Sequence, residues 1–263
     1  MRSRRQPAGE QRSSKHIQDA AVVLRLTELA QDHPRYGCKR LAIVYEREAR
    51  ESDSFMNYKR FRRLYRLGNL QIARRKRRSR AKYVRGQVLR RSEHPNDIWT
   101  LDFVSDRLLH GRVFRMLTLL DEYSRYGFAA DPAFSYPSAS VVRTLDDTAR
   151  EHGYPNGVRI DNGPELIASA LEAWAVEHNV QLLFIQPGKP TQNAFIESFN
   201  SRVRDEFLNA NRFRTIFEVR GGATAWLRSY NTEHPHSALD GRTPEEFLAL
   251  YETTPPPQKS VAA

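Results

Sequence analysis

Residues 98–130 read IWTLDFVSDRLLHGRVFRMLTLLDEYSRYGFAA. Three apolar runs, Ile98 to Val104, Phe114 to Leu120 and Tyr126 to Ala130, have strand length and strand composition. His110-Gly111 and Ser124-Arg125 supply the turn chemistry between them. After the third run the texture alternates. Pro137 to His152 reads as a helix, broken by Gly153 and Pro155, and Val158 to Asp161 as a short strand. Leu166 to His178 reads as a helix, Val180 to Ile185 as a strand, and Thr191 to Asn209 as a long helix. Three consecutive strands followed by alternating helix and strand predict an α/β fold, a mixed sheet flanked by helices.

Upstream lies a different kind of sequence. Residues 17–33 read as an amphipathic helix with Ile17, Ala21, Leu24 and Ala30 near one face, ended at His33-Pro34. Lys39 to Arg47 reads as a second helix and Asn57 to Leu67 as a third, stopped by Gly68-Asn69. Phe61, Leu64 and Tyr65 lie at helical spacing, while Lys59, Arg60, Arg62, Arg63 and Arg66 project elsewhere. Three short helices with basic exposed positions suggest a helix-turn-helix unit, although small helical bundles share the pattern. Arg74, Arg75, Lys76, Arg77, Arg78 and Arg80 make six cations in seven residues, a solvated linker unless phosphates neutralise it.

The net charge is +11, split as +17 over residues 1–95 and −6 over residues 96–263. A basic front joined to a mildly acidic back divides the labour: one part holds a polyanion and the other keeps its carboxylates for chemistry. No run approaches the ~18 apolar residues of a membrane helix. The basic N-terminus lacks the apolar stretch of a secretory signal. The single cysteine, Cys38, excludes an internal disulfide and a cysteine-rich zinc site. The expected setting is a reducing cytoplasm.

Three carboxylates draw notice. Asp102 sits inside an apolar strand, where an ionised carboxylate is costly without a cation to meet it. Asp161 ends a strand just before Asn162-Gly163-Pro164, at a strand mouth. Glu197 lies on the long helix, where Phe195, Ile196, Phe199, Val203 and Phe207 form an apolar stripe. Asn193, Glu197, Asn200 and Arg204 share another face. Carboxylates from two strands and one helix could converge on two hard divalent cations, the arrangement that serves in-line phosphoryl transfer. Taken singly, Asp102 could be a strand-edge charge, Asp161 a turn residue and Arg204 a surface ion-pair partner. His234 and His236 read as a solvated helix end rather than a metal site, since no third soft ligand is near. Asp121 reads as a hairpin-turn residue beside Glu122, and Trp99, Trp174 and Trp226 as core.

Between Asp161 and Glu197 lie 35 residues. With WTLDFV, IDNGPE, PGKPTQNAFIESFNSRVRDEFLN and YNTEHPHSAL around it, this spacing resembles the D,D-35-E cores of retroviral integrases and related transposases. These stretches look like transposases of the insertion sequence three family, second reading frame. HPRYGCKRL and NYKRFRRLYR are similar to the helix-turn-helix segment preceding the core there. The resemblance covers nearly all of the chain after residue 17.

It implies an RNase H-like integrase core in which Asp102, Asp161 and Glu197 are the catalytic and metal-binding triad for two Mg²⁺ ions, with Mn²⁺ as a substitute. The implied activity is DNA cleavage and strand transfer, with element ends and target DNA as partners. A homo-oligomer on DNA and action with, or fused to, an upstream reading-frame product are implied too, in a bacterial, nucleoid-associated setting. Expected DNA contacts are Arg204, Lys189, Gln192 and Asn193 by the core, Lys59, Arg60 and Arg63 on the third helix, and the cations from Arg74 to Arg78. The N-terminus lacks the two-His, two-Cys zinc module of retroviral integrases. The expected domains are a disordered basic N-terminus (1–16), a helix-turn-helix-like DNA-contacting region (17–72), a basic linker (73–94), the catalytic core (95–212), a C-terminal helical extension (213–252) and a tail (253–263). A nuclease of the same fold and a non-catalytic DNA-binding remnant are the alternatives.

Overall fold

The computed structural model describes residues 8–51, 56–72, 90–161, 169–185 and 193–253. The chain divides into two compact units, residues 1–84 and 85–263.

The first unit is three helices: α1 (Ala8–Asp32), α2 (Cys38–Glu51) and α3 (Tyr58–Leu67). α1 begins inside the stretch expected to be a disordered N-terminus. No glycine or proline interrupts residues 10–33, so a helix anchored by packing propagates backwards at little cost. Its buried residues are Leu26 and Leu29, with Val22, Val23 and Ala30 partly covered, whereas Leu24 is 65% exposed. The face expected through Ala21 and Leu24 therefore turns outward. A run as apolar as AAVVLRLTELA offers two stripes, and contact with the other helices selects one. α2 contributes Leu41 and Tyr45, and α3 contributes Phe61, Leu64 and Tyr65, the last three as their spacing suggested. Asn57 caps α3 by accepting from the Lys59 N–H at 2.9 Å. The left-handed stop falls on Asn69, with φ of 54°.

The second unit is built on a five-stranded mixed sheet in the order β3-β2-β1-β4-β5. β1 (Ile98–Arg107), β2 (Val113–Asp121) and β3 (Gly127–Ala133) form an antiparallel meander, and β4 (Gly157–Ile160) and β5 (Gln181–Phe184) add in parallel beside β1. The two turns fall where expected: Gly111 has φ of 90° and Arg125 of 63°.

Strand alternation sends the residues to two cores. Trp99, Leu101, Leu117, Leu119, Val158 and Ile160 face α4 (Ser138–His152) and α5 (Ser169–Glu177). Val104, Phe114, Met116 and Leu120 face α6 (Ala194–Arg202) and α7 (Ile216–Thr232), which brings Val219, Ala223 and Tyr230. α8 (Pro244–Thr253) follows a short 3₁₀ turn at Ser237–Leu239. The helix expected over 191–209 passes at Val203–Leu208 into a π-helical segment. Among the described residues no helix is long and apolar enough to cross a membrane.

Candidate active site

On the α6 side of the sheet the alternation that buries Val104 and Met116 also presents three polar residues, Thr100, Asp102 and Thr118. Asp102 and Thr118 are direct cross-strand partners. α6 answers them with two amides one face apart. Thr100 Oγ1 donates to Asn193 Oδ1 at 2.9 Å. Asn200 Nδ2 donates to Asp102 Oδ2 at 2.8 Å and accepts from Thr118 Oγ1 at 2.8 Å. Thr118 Oγ1 also lies 3.0 Å from the Asp102 carbonyl oxygen. The apolar stripe of α6, Ile196 and Phe199 and then Val203 and Phe207, is buried against the same sheet face. This sets the helix rotation and brings the two asparagines to β1.

Asp102 is half-buried, and its other carboxylate oxygen accepts from the Phe103 N–H at 2.7 Å. Burial holds its carboxyl above the usual carboxylate range. The negative charges of Asp161 and, more weakly, Glu197 push it further up, while the bonds from Phe103 and Asn200 pull the other way. Asp102 thus lies within electrostatic reach of the other two acidic residues singled out in the sequence. The three do not touch as a cage: among the described residues no three His, Cys, Asp or Glu side chains are gathered closely enough to hold one metal ion. Asp161 directly follows β4 and is half-buried, and Glu197 is exposed on α6.

The remaining expected contacts separate. Arg204 lies on the π segment, and its Nη2 donates to the Ser105 carbonyl oxygen of β1 at 2.9 Å, not to a neighbouring carboxylate. Asn193 is only 8% exposed and braces the start of α6 against β1. Phe195 leaves the apolar stripe: it is 38% exposed and lies under the Arg125 guanidinium, 3.8 Å from the ring centroid. At its position next to the helix start it faces the β2–β3 turn rather than the sheet. Lys59 is exposed, whereas Arg60 and Arg63 both close on Asp19 of α1, at 2.8 and 2.6 Å. Lys189, Gln192, Arg74, Arg75, Lys76, Arg77 and Arg78, and the Asn162-Gly163-Pro164 turn, lie outside the described residues.

Two histidines depart from their sequence reading. His234 and His236 are 1% and 6% exposed rather than solvated, packed around Tyr230, and Arg202 Nη1 bonds His234 Nε2. Asp121 does serve the hairpin, accepting from the Ser124 N–H at 2.8 Å. Thr118 went unremarked in the sequence; its one signal is a hydroxyl in the middle of the apolar run MLTLL.

The comparisons with known proteins agree with this geometry. Two integrase core domain models match the chain, one over residues 92–190 and one over 178–244. The chain is 40% identical over 237 residues to an insertion element IS407 protein of Burkholderia multivorans, covering 90% of this chain and 84% of that one. It is 24% identical over 252 residues to a putative transposase for insertion sequence element IS150 of Escherichia coli, covering 89% and 85%. Among solved structures it resembles a chain of the simian T-cell lymphotropic virus intasome in complex with PP2A regulatory subunit B56 gamma. There the TM-score is 0.54 at 15% identity, covering 84% of this chain and 73% of that one. That likeness shows the fold, an RNase H-like mixed sheet flanked by helices. With a relative of this identity and coverage and the integrase core matched across the sheet and its helices, the chain belongs to the transposase/integrase family of insertion elements.

Proposed function

We infer that this chain is a DDE-type polynucleotidyl transferase that cleaves DNA and joins the freed 3′-hydroxyl to a second strand. The observation that supports this reading is the setting of Asp102, held by Asn200 and the Phe103 N–H on the sheet face that α6 covers, with Asp161 directly after the neighbouring strand β4 and Glu197 on α6. Their donor set is oxygen only, which suits a hard divalent cation, and among the described residues no cationic side chain hydrogen-bonds to Asp102. Like charges repel, so three carboxylates would draw together only around a counter-charge. Two Mg²⁺ ions, or Mn²⁺ in their place, would supply Lewis-acid charge and an activated oxygen nucleophile when held by Asp102, Asp161 and Glu197.

The chain's own groups then have defined tasks. Asn200 and the Phe103 N–H fix the rotamer of Asp102, and Thr118 fixes Asn200. Arg204 stands at the far end of β1 from the β4 junction, where it can meet phosphate as well as its carbonyl. Lys189, Gln192, Lys59 and the cations from Arg74 to Arg78 are assigned to phosphate backbone. We assign residues 17–72 to DNA contact, 73–94 to a linker, 95–212 to catalysis and 213–252 to a helical extension. The chain would act as a homo-oligomer on element ends and target DNA, as the second-frame product of an insertion sequence three element, with or fused to the first-frame product, at the bacterial nucleoid.

A strand-joining assay on labelled duplex ends with Mg²⁺ tests the reading. Joined product is expected. Cleavage without joining would instead make this a nuclease of the same fold, and binding with neither reaction, even with the upstream frame fused, a DNA-binding remnant.

A further inference from the structure

The three-helix unit distributes its cations unevenly. Arg25 is held by Glu28 and Glu48 at 2.7 and 2.8 Å, and Arg60 and Arg63 share Asp19. These pairs neutralise much of the charge that the sequence offered for DNA. The same unit also contains a cleft of about 880 Å³ lined by Arg35, Lys39, Arg40, Arg62 and Arg66. None of its lining residues is acidic. Among the described residues Arg35, Lys39, Arg62 and Arg66 form no ion pair, and all four are exposed.

This arrangement is unfavourable in the isolated protein. Five cations around one concavity repel one another. α2 also carries Lys39 and Arg40 in its first turn, and α3 carries Lys59 and Arg60 there, with no acidic residue in either first turn. A helix start bears a partial positive charge and disfavours cations beside it. A polyanion seated in the cleft reverses the sign of both effects. The positive charge exceeds what one phosphate would balance. Arg62 and Arg66, one helical turn apart, give a row rather than a point of charge.

We propose that this cleft, and not the Arg60 and Arg63 positions, is where the first unit grips the phosphate backbone of duplex DNA. The assignment rests on DNA being the substrate, and it moves the contact from Arg60 and Arg63 to Arg62, Arg66 and the cations beside α2. Tyr58, 40% exposed, lines the same cleft and offers a flat surface beside the cations. Cys38, the only cysteine of the chain, lines it as well, with the Tyr58 hydroxyl 3.8 Å from its Sγ.

That thiol provides the test. Alkylation of Cys38 by N-ethylmaleimide is followed on the full chain with and without a duplex of arbitrary sequence, alongside binding measured across a salt series. The duplex is expected to slow alkylation several-fold. The pair Arg62→Gln with Arg66→Gln should abolish that protection and lower the slope of log affinity against log salt by about 2, one per lost phosphate contact. Arg60→Gln with Arg63→Gln should leave both close to wild type. All four side chains are exposed, so circular dichroism should show each variant folded. Tight duplex binding with Cys38 alkylated at its free rate, or the opposite ranking of the two variants, overturns the cleft while leaving DNA as the substrate. A chain that binds no duplex overturns both.

Discussion

The side-chain amide of Asn200 reaches from α6 to Asp102 on β1, Nδ2 to Oδ2, at 2.8 Å. Its oxygen is held in turn by Thr118, the cross-strand neighbour of Asp102. One amide therefore couples the helix that carries Glu197 to the strand that carries Asp102. An acidic residue in a half-buried position would otherwise be free to turn towards solvent. The bond fixes it facing the helix, where it feels the other two carboxylates.

Asn200→Ala removes that coupling without altering a carboxylate. Strand joining should fall by about 10–100-fold, the usual cost of losing a residue that orients a metal ligand. Duplex binding should stay near wild type, because the Asn200 side chain hydrogen-bonds Asp102 and Thr118 within the site. Joining at the wild-type rate would show that Asp102 needs no such support.

Beneath the site Arg159 and Glu122 form a buried ion pair, Nε to Oε1 at 2.6 Å, with side chains 6% and 2% exposed. Burial raises the Glu122 carboxyl, and the Arg159 guanidinium opposes that rise. Arg159→Met leaves Glu122 buried without its cation and should cost about 3–5 kcal/mol. The pH dependence has a definite sign. With its folded-state value raised further, Glu122 is tolerated when protonated, so the deficit is greatest at neutral pH and shrinks as pH falls towards the unfolded carboxyl value. Adding Glu122→Gln should recover part of the loss at neutral pH. Thermal melts of both variants across pH check this, and a pH-independent deficit would contradict it.

Gly127 sits where β3 meets α6 and α7. Its N–H donates to Asn231 Oδ1 at 2.9 Å, and its carbonyl accepts from Asn231 Nδ2 at 2.8 Å. A Cβ there would lie 2.7 Å from Leu227 Cδ1 and 3.1 Å from the Phe199 ring. Leu227 can swing aside, but Phe199 is buried against Trp226 and Tyr230. Gly127→Ala should therefore destabilise by about 1–3 kcal/mol, as overpacking does. It should also lower joining, since Phe199 lies on the turn that follows Glu197. Denaturant melts and the joining assay read the two effects separately.

Much of this was legible in the residues. β1, β2 and β3 lie where apolar runs and turn residues set them, and α4 starts and ends within a residue of its expected limits. Asp102, Asp161 and Glu197 were visible because carboxylates in or beside apolar elements conflict with their surroundings. What stayed hidden depends on contacts distant in sequence. A π-helical segment leaves no mark on a 3.6-residue period, so 203–208 read as ordinary helix. The burial of His234 and His236 comes from Tyr230 and Arg202, and that of Asn193 from Thr100 on another element. Local pattern likewise could not tell that Asp19, 41 residues before Arg60, would pair with Arg60 and Arg63 of α3.

The most direct test of the shared carboxylate site is the joining activity of Asp102→Asn, Asp161→Asn and Glu197→Gln, singly and in pairs, in Mg²⁺. Residues that act as one unit lose activity non-additively. Each single variant should fall to background, each pair should fall no further, and all should bind duplex DNA as wild type does. A single variant that still joins strands at the wild-type rate would show that its carboxylate is not part of the site.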